Sequence, residues 1–384
     1  MNRFALFAER PVESSRRCDA SLIAGIILFW GLGILTLYMC SANYGSRVFD
    51  DSLYFVKRQL LLSVPSGIAC ICCATFSLDV IRKLLPGFVI GTLILCLLPF
   101  VPGIGSPRNG ASRWIRVPFA GETFQPSELA KIAVILFLAN WFDKRSEQSE
   151  SEPLKMRSAI AGLSVFVLIV LFQDDFSTAL FILLIGLLLF YMAGAKLGYL
   201  VPFGLLAVFA LLLFVFSSPF RVNRLIAFIN PEFDTHGYNY QTSAARTAIS
   251  DGGFWGQGMG SGLDKINRIP EIQTDYIFAG WAEAMGFFGV IGYFALLLFF
   301  SWRAYTAAVR CRNTFGALIG FGAASCILVQ SLMNCGVVCG ALPATGITLP
   351  FFSYGGSSLL ATFCLSGLSI NISRYREEPV ESVL

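Results

Sequence analysis

Charge is scarce in this sequence of 384 residues. Only 14% of the residues are Asp, Glu, Lys or Arg, whereas 55% are hydrophobic, 36 of them Phe, and the mean hydropathy is +0.68. Soluble domains carry about 25% charged residues, so this composition excludes an ordinary soluble protein. It indicates a membrane protein with several spans, surrounded by lipid, and we expect no nucleic-acid partner.

Two further scarcities narrow the chemistry. A single histidine, His236, leaves little room for a histidine-based metal site or catalytic dyad. The sequence has no Gly-x-x-x-x-Gly-Lys-Ser/Thr motif, so we expect no use of ATP. The eleven cysteines lie mostly inside apolar runs, which is typical of small packing groups and not of a disulfide framework.

Apolar runs of about 20 residues, the length that crosses roughly 30 Å of hydrocarbon, recur through the chain. They predict an all-α polytopic membrane protein with about ten transmembrane helices. We expect one transmembrane domain over 20–371, between tails 1–19 and 372–384, with a large extracytoplasmic loop, 218–275, between helices 7 and 8. The predicted spans are 20–41, 59–78, 84–105, 127–142, 158–173, 176–195, 197–217, 276–301, 315–338 and 351–371.

Basic residues are distributed unevenly between the two sides of the predicted spans. Sixteen Lys and Arg residues fall on the side of the N-terminus, against six in the short loops of the other side. Short cytoplasmic loops carry the excess of Lys and Arg. The sequence therefore predicts that both termini are cytoplasmic and that loop 218–275 faces outward.

Asp275 is the first candidate for chemistry, because it stands where the long polar loop runs into the eighth apolar span. A charge drawn to the centre of the hydrocarbon costs about 2.5–3.5 kcal/mol, so a carboxylate at its margin is often functional. The alternative is a solvated carboxylate that caps the following helix.

Two more polar runs precede spans on the outer side. Pro126 suits the first turn of a helix, whose positive end would face outward, and Glu128 and Lys131 would share one face of it. Lys131, Arg113 and the helix end could hold a diphosphate, or Glu128 and Lys131 could form a structural ion pair.

Asp174 and Asp175, between the fifth and sixth spans, could bind a divalent cation, pair with Lys131 or form an ordinary turn.

Glycine and proline interrupt the outer side in two places. Glycines at 256, 258, 260 and 262 permit close backbone approach and suggest a re-entrant or interfacial hairpin. The run 342–358 is rich in Gly, Pro and Ser, and such backbone is tolerated at membrane depth only beside protein or water. It predicts a cavity near the outer face.

These runs resemble the shape, elongation, division and sporulation family, the FtsW/RodA type of cell-wall polymerase. The resemblance covers about residues 20 to 375. It rests on Asn109–Ile115, Gln125–Lys131, Asn230-Pro231 with Tyr240-Gln241, the glycine series, Thr274–Ala279 and Leu342–Ser358. It implies a peptidoglycan glycosyltransferase of the bacterial inner membrane that polymerises lipid II, the undecaprenyl-diphosphate-linked disaccharide-pentapeptide, at the outer face.

The resemblance also implies roles and partners. Asp275 would match the family's essential aspartate and act as general base in an inverting displacement. Residues expected around the substrate are Arg113, Glu128, Lys131, Asp175, Arg246, Lys265, Ser353 and Ser357. A divalent cation, Mg or Mn, is a possible cofactor. The expected partners are a class B penicillin-binding protein transpeptidase and other proteins of the division machinery.

Some positions depart from the family pattern. Gln273 stands where a histidine is common, and Ala284 follows Glu283 where a second acid is usual. The spacing Gly256-x-Gly258-x-Gly260 with Lys265, and the run 57–60, resemble the division branch, hence septal synthesis, more than the elongation branch. The alternatives from the residues are a lipid II flippase or secondary transporter, an elongation-type polymerase and a non-catalytic scaffold for division. The outward clustering of the polar runs favours surface chemistry.

Overall fold

The computed structural model describes residues 18–107, 111–116, 123–146, 152–230, 237, 239–258 and 269–375, and these are mostly helical. A short antiparallel ribbon pairs β1 (Ile115–Arg116) with β2 (Thr123–Phe124). The helices are α1 (Ala20–Phe49), α2 (Tyr54–Thr75), α3 (Leu78–Leu97), α4 (Ser127–Ser146), α5 (Glu152–Phe172), α6 (Phe176–Met192), α7 (Leu197–Phe216), α8 (Pro219–Ile229), α9 (Tyr240–Gly252), α10 (Ile277–Val309), α11 (Thr314–Val338) and α12 (Gly356–Ile372).

Ten of these helices correspond one for one to the predicted spans. Seven of them, α1, α2, α3, α7, α10, α11 and α12, are long and apolar enough to cross a membrane. The apolar parts of α5 and α6 are shorter, 17 residues each, and α4 has 20 residues that include buried polar groups. The predicted all-α, polytopic membrane fold is confirmed.

The helices run alternately up and down, so their ends gather at two ends of the bundle. We call the end that carries loop 217–276 the site end. The opposite end, where α1 begins and α12 finishes, is the terminal end. Residues 1–17 and 376–384 of the predicted tails lie outside the described residues.

At the terminal end, ion pairs join the helix ends. Arg82 of α3 pairs with Asp143 of α4, and the side chains are only 3% and 6% exposed. Asp143 also accepts a hydrogen bond from the backbone N–H of Phe315, 3.2 Å away, at the start of α11. Asp19 caps the start of α1 and pairs with Arg303 of α10. Each charge is thereby compensated inside the protein.

The structure differs from the predicted boundaries at the site end. The loop 218–275 is not purely irregular, since α8 and α9 lie within it. The last span begins at Gly356 and not at residue 351, because residues 351–355 form turns that are hydrogen-bonded to other parts of the chain. An apolar run shows where a segment is buried, but it does not show whether its backbone is helical.

Helix α10 is broken near its start. Gly286 has φ 63° and ψ −162°, a conformation open almost only to glycine. The backbone groups released by the break pair with the glycine-rich loop: Gln257 N–H donates to Glu283 O at 2.9 Å, and Phe287 N–H donates to Gly253 O at 2.9 Å. The first part of the predicted glycine hairpin, residues 253–258, therefore packs on the break, whereas residues 259–268 lie outside the described residues.

Candidate active site

Asp275 lies in the turn that precedes α10, at the site end, and its side chain is partly buried. Asn334 of α11 fixes its backbone by donating from Nδ2 to Asp275 O at 2.8 Å. The carboxylate faces the backbone of Gly346, where an added Cβ would come within 3.4 Å of Oδ2. That distance is an ordinary van der Waals contact, so the segment lies directly against the carboxylate.

The irregular segment 342–355 is held over Asp275 by side chains from two spans. Asn334 also donates to Ile347 O at 2.8 Å, and Gln330, one turn earlier in α11, donates to Thr348 O at 3.0 Å. Gln59 of α2 donates to Ser353 O at 3.2 Å. Protein groups thus satisfy this backbone, as membrane depth requires.

Ser353 joins the segment directly to the turn that carries Asp275. Its hydroxyl donates to Thr274 O at 2.5 Å and accepts from the N–H of Leu349 at 2.8 Å. The N–H of Tyr354 donates to Gln273 O at 2.8 Å. Ser353, expected from sequence to contact substrate, is buried and uses both of these bonds to position the site backbone.

The surroundings of Asp275 make its carboxyl group a weaker acid than usual. Burial raises the pKa of Asp275 to about 6, and the nearby Glu271 carboxylate adds to that rise. Arg113 and Arg224 act in the opposite direction on the pKa, and Asp175 raises it further. A carboxylate with a pKa near 6 is ionised at neutral pH and is more basic than an ordinary aspartate, which suits a general base.

Asp175 organises a second polar group at the site end. It caps α6 by accepting from Thr178 N–H at 3.3 Å, and it accepts from Gln125 Nε2 at 2.7 Å. Arg113 approaches it at 3.6 Å with a side chain that is 25% exposed. The N–H of Gln125 donates to Ser357 Oγ at 3.2 Å. Ser357, expected from sequence to contact the substrate, therefore links α12 to the residues just before α4.

Glu128 and Lys131 form an ion pair of 2.7 Å, and their side chains are 9% and 3% exposed. Lys131 also donates to Gln330 Oε1 at 2.8 Å, which connects the pair to the segment 342–355 through Thr348. Because protein encloses the pair, it matches the structural alternative. The expectation that Lys131 itself touches a diphosphate is not supported by this geometry.

The adjacent carboxylates of residues 174 and 175 separate in the structure. Asp174 pairs with Arg221 of α8, while Asp175 faces Arg113, so neither pairs with Lys131. Among the described residues, no group of three or more His, Cys, Asp or Glu side chains is placed to hold a metal. The expected Mg or Mn stays a prediction. Lys265 lies outside the described residues.

Arg246 of α9 binds the C-terminal end of α11. Its Nη2 donates to Gly340 O at 2.9 Å and its Nε to Cys339 O at 3.3 Å, where the helix dipole is negative. Gly340 has φ 72°, and a side chain there would collide with the guanidinium. Arg246 lines a pocket together with Arg224 of α8 and Ala344, which places a cavity beside the segment 342–355.

Four residues outside the predicted site complete it. Gln330 and Asn334 lie one turn apart on α11, and Thr242 of α9 hydrogen-bonds the hydroxyl of buried Tyr276 at 3.2 Å. The signal for the first two was present, because polar side chains inside an apolar span are usually functional or structural. Arg224, whose charge acts on Asp275, lacked such a signal within the long loop.

The comparisons with known proteins agree with this geometry. The family profile that joins FtsW, RodA and SpoVE, described as a cell cycle protein, matches residues 20–378. A relative from Geobacter sp. (strain M18), named probable peptidoglycan glycosyltransferase FtsW, is 35% identical over 92% of this chain and 96% of its own length. Stage V sporulation protein E of Bacillus subtilis (strain 168) is 34% identical over 93% of this chain and 97% of its own.

Solved structures show the same fold. A chain of a peptidoglycan synthase complex that coordinates polymerization and crosslinking superposes with a TM-score of 0.75 at 26% identity, covering 94% of this chain and 98% of that one. The rod shape determining protein RodA of Thermus thermophilus gives a TM-score of 0.68 at 24% identity, covering 95% and 99%. The suspected resemblance is confirmed: the chain belongs to the FtsW/RodA/SpoVE family.

Proposed function

We propose that this protein is a peptidoglycan glycosyltransferase that polymerises lipid II at the outer face of the bacterial inner membrane. The observation that carries the proposal is Asp275, a partly buried carboxylate whose pKa is raised to about 6 at the site end of the bundle. Relatives over nearly the full chain bear the name of this activity.

The reaction joins a sugar hydroxyl of the acceptor to the anomeric carbon of the donor. Asp275 takes the hydroxyl proton as the new C–O bond forms, and the bond between the anomeric carbon and the lipid diphosphate breaks with its electron pair on the diphosphate. Because the donor linkage is α and the product β, one inverting displacement suffices. A diphosphate leaves without protonation, so a single protein carboxylate is enough, unlike the paired acids of glycoside hydrolases.

Positive charge beside Asp275 suits the departing diphosphate. Arg113 is partly exposed and oriented by Asp175, which leaves its guanidinium able to form charge-assisted hydrogen bonds to phosphate oxygens. Ser357 and Gln125 hold the neighbouring backbone. In this proposal, Arg113 stabilises the negative charge that develops on the leaving group, and Lys131 supports the site from inside through Gln330.

We further propose that both termini are cytoplasmic, that the site end faces outward and that the protein works at the division septum. The basic residues support this orientation. A class B penicillin-binding protein is the proposed partner, because the structurally similar chain belongs to a complex that couples polymerization to crosslinking. The partner would crosslink the strands that this chain makes.

The test is glycan-chain formation from labelled lipid II by purified full-length protein with its class B partner. Asp275→Asn keeps the shape of the side chain but removes its basicity, and we expect the rate of polymerisation to fall about 10²–10⁴-fold. Asp251→Asn, the same change at a partly exposed carboxylate of α9, is the matched control and should keep normal activity. Equal polymer from wild type and Asp275→Asn would refute the general-base role.

A further inference from the structure

A pocket with two arginines lies beside the candidate active site, between α8, α9 and the chain after α11. Arg224, an exposed residue of α8, and Arg246 of α9 line it together with Asn239, Thr242 and Ala344. Two guanidinium groups in one pocket favour an anion with several oxygens, such as a phosphate or diphosphate. Arg224 acts on the pKa of Asp275, but the proposed reaction gives it no contact with the substrate.

Hydrogen bonds between different elements fix the walls of this pocket. Asn239, at the start of α9, donates to Ala227 O of α8 at 3.1 Å. Arg246 ties α9 to the end of α11, and Thr242 ties it to Tyr276, the residue after Asp275. These hydrogen bonds hold the pocket walls in place and set the position of the pocket relative to Asp275.

The position of α8 gives the depth of the pocket in the membrane. Only two residues separate this helix from the end of the apolar span α7, and it is strongly amphipathic, with Arg221 and Arg224 among apolar residues such as Ile226 and Ile229. A helix of this kind lies in the membrane surface at the level of the lipid headgroups. The diphosphate of a polyprenyl-linked sugar sits at the same level.

Electrostatics also connects the pocket to Asp275. The charge of Arg224 lowers the pKa of Asp275, against the larger effect of burial. Arg246 uses two of its five N–H donors on backbone carbonyls, which holds its guanidinium in a fixed orientation. A fixed cation and an exposed one next to the base form a suitable site for a substrate anion.

We propose that the pocket binds the diphosphate of a polyprenyl-linked substrate, with Arg224 as its main ligand and Arg246 as a fixed second one. The inference rests on the proposed function, since it assigns a substrate group to the same site. The active site would then have two places for a diphosphate, one at Arg113 and one in this pocket. Two are needed because polymerisation brings together two lipid-linked molecules.

The test measures binding without turnover. Farnesyl diphosphate is titrated into full-length Asp275→Asn protein in phosphatidylcholine nanodiscs. We expect Arg224→Gln to weaken binding about tenfold or more, because it removes charge-assisted hydrogen bonds to phosphate. Arg224→Lys should retain part of the affinity. Arg221→Gln, on the same helix but paired with Asp174, should leave binding unchanged.

Each other result overturns the proposal in a recognisable way. Equal affinity of Arg224→Gln and Arg221→Gln would remove Arg224 from the site. Equal competition by phosphatidylglycerol or by inorganic pyrophosphate would show that the pocket takes headgroup phosphates or free anions without regard to the prenyl diphosphate. This assay measures binding and forms no polymer, so it tests the pocket alone. The glycosyltransferase proposal is tested separately, by the lipid II reaction.

Discussion

The two ends of the bundle use charge in opposite ways. At the terminal end, Arg82 and Asp143 are almost fully buried and directly paired, and Arg303 pairs with Asp19 at the start of α1. At the site end, Asp275 is partly exposed and faces a glycine backbone, with Arg113 and Arg224 acting on it as neighbouring charges. Charges that join helices are satisfied internally, whereas those placed for chemistry keep access to a ligand.

The same contrast applies to the backbone. The described connections at the terminal end, 76–77, 193–196 and 310–313, are short, but the site end contains the irregular segment 342–355 and the break at Gly286. Both irregular regions are supported by hydrogen bonds from distant parts of the chain. A transporter with alternating access would need a polar route that reaches both ends of the bundle. The charged residues of the terminal end pair with one another and do not form such a route.

The largest effect should come from breaking the terminal-end pair. Arg82→Met leaves Asp143 buried without its charged partner, and we expect the free energy of unfolding to drop by about 3–5 kcal/mol. Unfolding midpoints in detergent measure this loss. Lys83→Met, an exposed neighbour on α3, is the control and should change stability little. If both variants unfold alike, the terminal end is not held together by its ion pairs.

A smaller loss of stability should follow from closing the space at the helix break. Gly286→Ala places a Cβ in a conformation that only glycine adopts readily and against Phe254 O, at a cost of about 1–3 kcal/mol. Hydrogen exchange at the amides of Gln257 and Gly258 should rise, since both are bonded to α10 carbonyls.

Gly292→Ala is the matched control for the helix break. It lies on the same helix, and no atom stands within 4 Å of the added Cβ. We expect it to retain or slightly gain stability, because alanine favours helix over glycine. Equal exchange at residues 257 and 258 in both variants would show that the loop does not depend on the break.

The smallest effect should be a shift in pH dependence at the site end. The general base must be ionised, so polymerisation should rise with pH through about 6, the pKa of Asp275. Arg113 lowers this pKa, and Arg113→Gln should therefore move the acid limb of the rate profile to higher pH. Arg116→Gln, an exposed position on β1, is the control. If the acid limb does not move, the charge of Arg113 does not affect the pKa of Asp275.

Much of the candidate site was accessible from sequence. Asp275 stands out because hydropathy changes abruptly at its position, and Arg113 and Asp175 lie in polar runs between apolar spans. The roles of Ser353 and Lys131 were not accessible, because their partners, Thr274 and Gln330, are far away in the chain. A polar residue near a site can hold the protein together or hold a ligand, and only its contacts distinguish the two.

The sequence by itself determined the membrane class, the ten spans and the family, because hydropathy over about 20 residues and short motifs are local properties. Tertiary structure alone decided that the segment 342–355 covers Asp275, that Gly286 breaks α10 and that Arg224 and Arg246 share a pocket. Each of these features depends on hydrogen bonds or packing between residues distant in the chain, and local patterns do not encode such pairings.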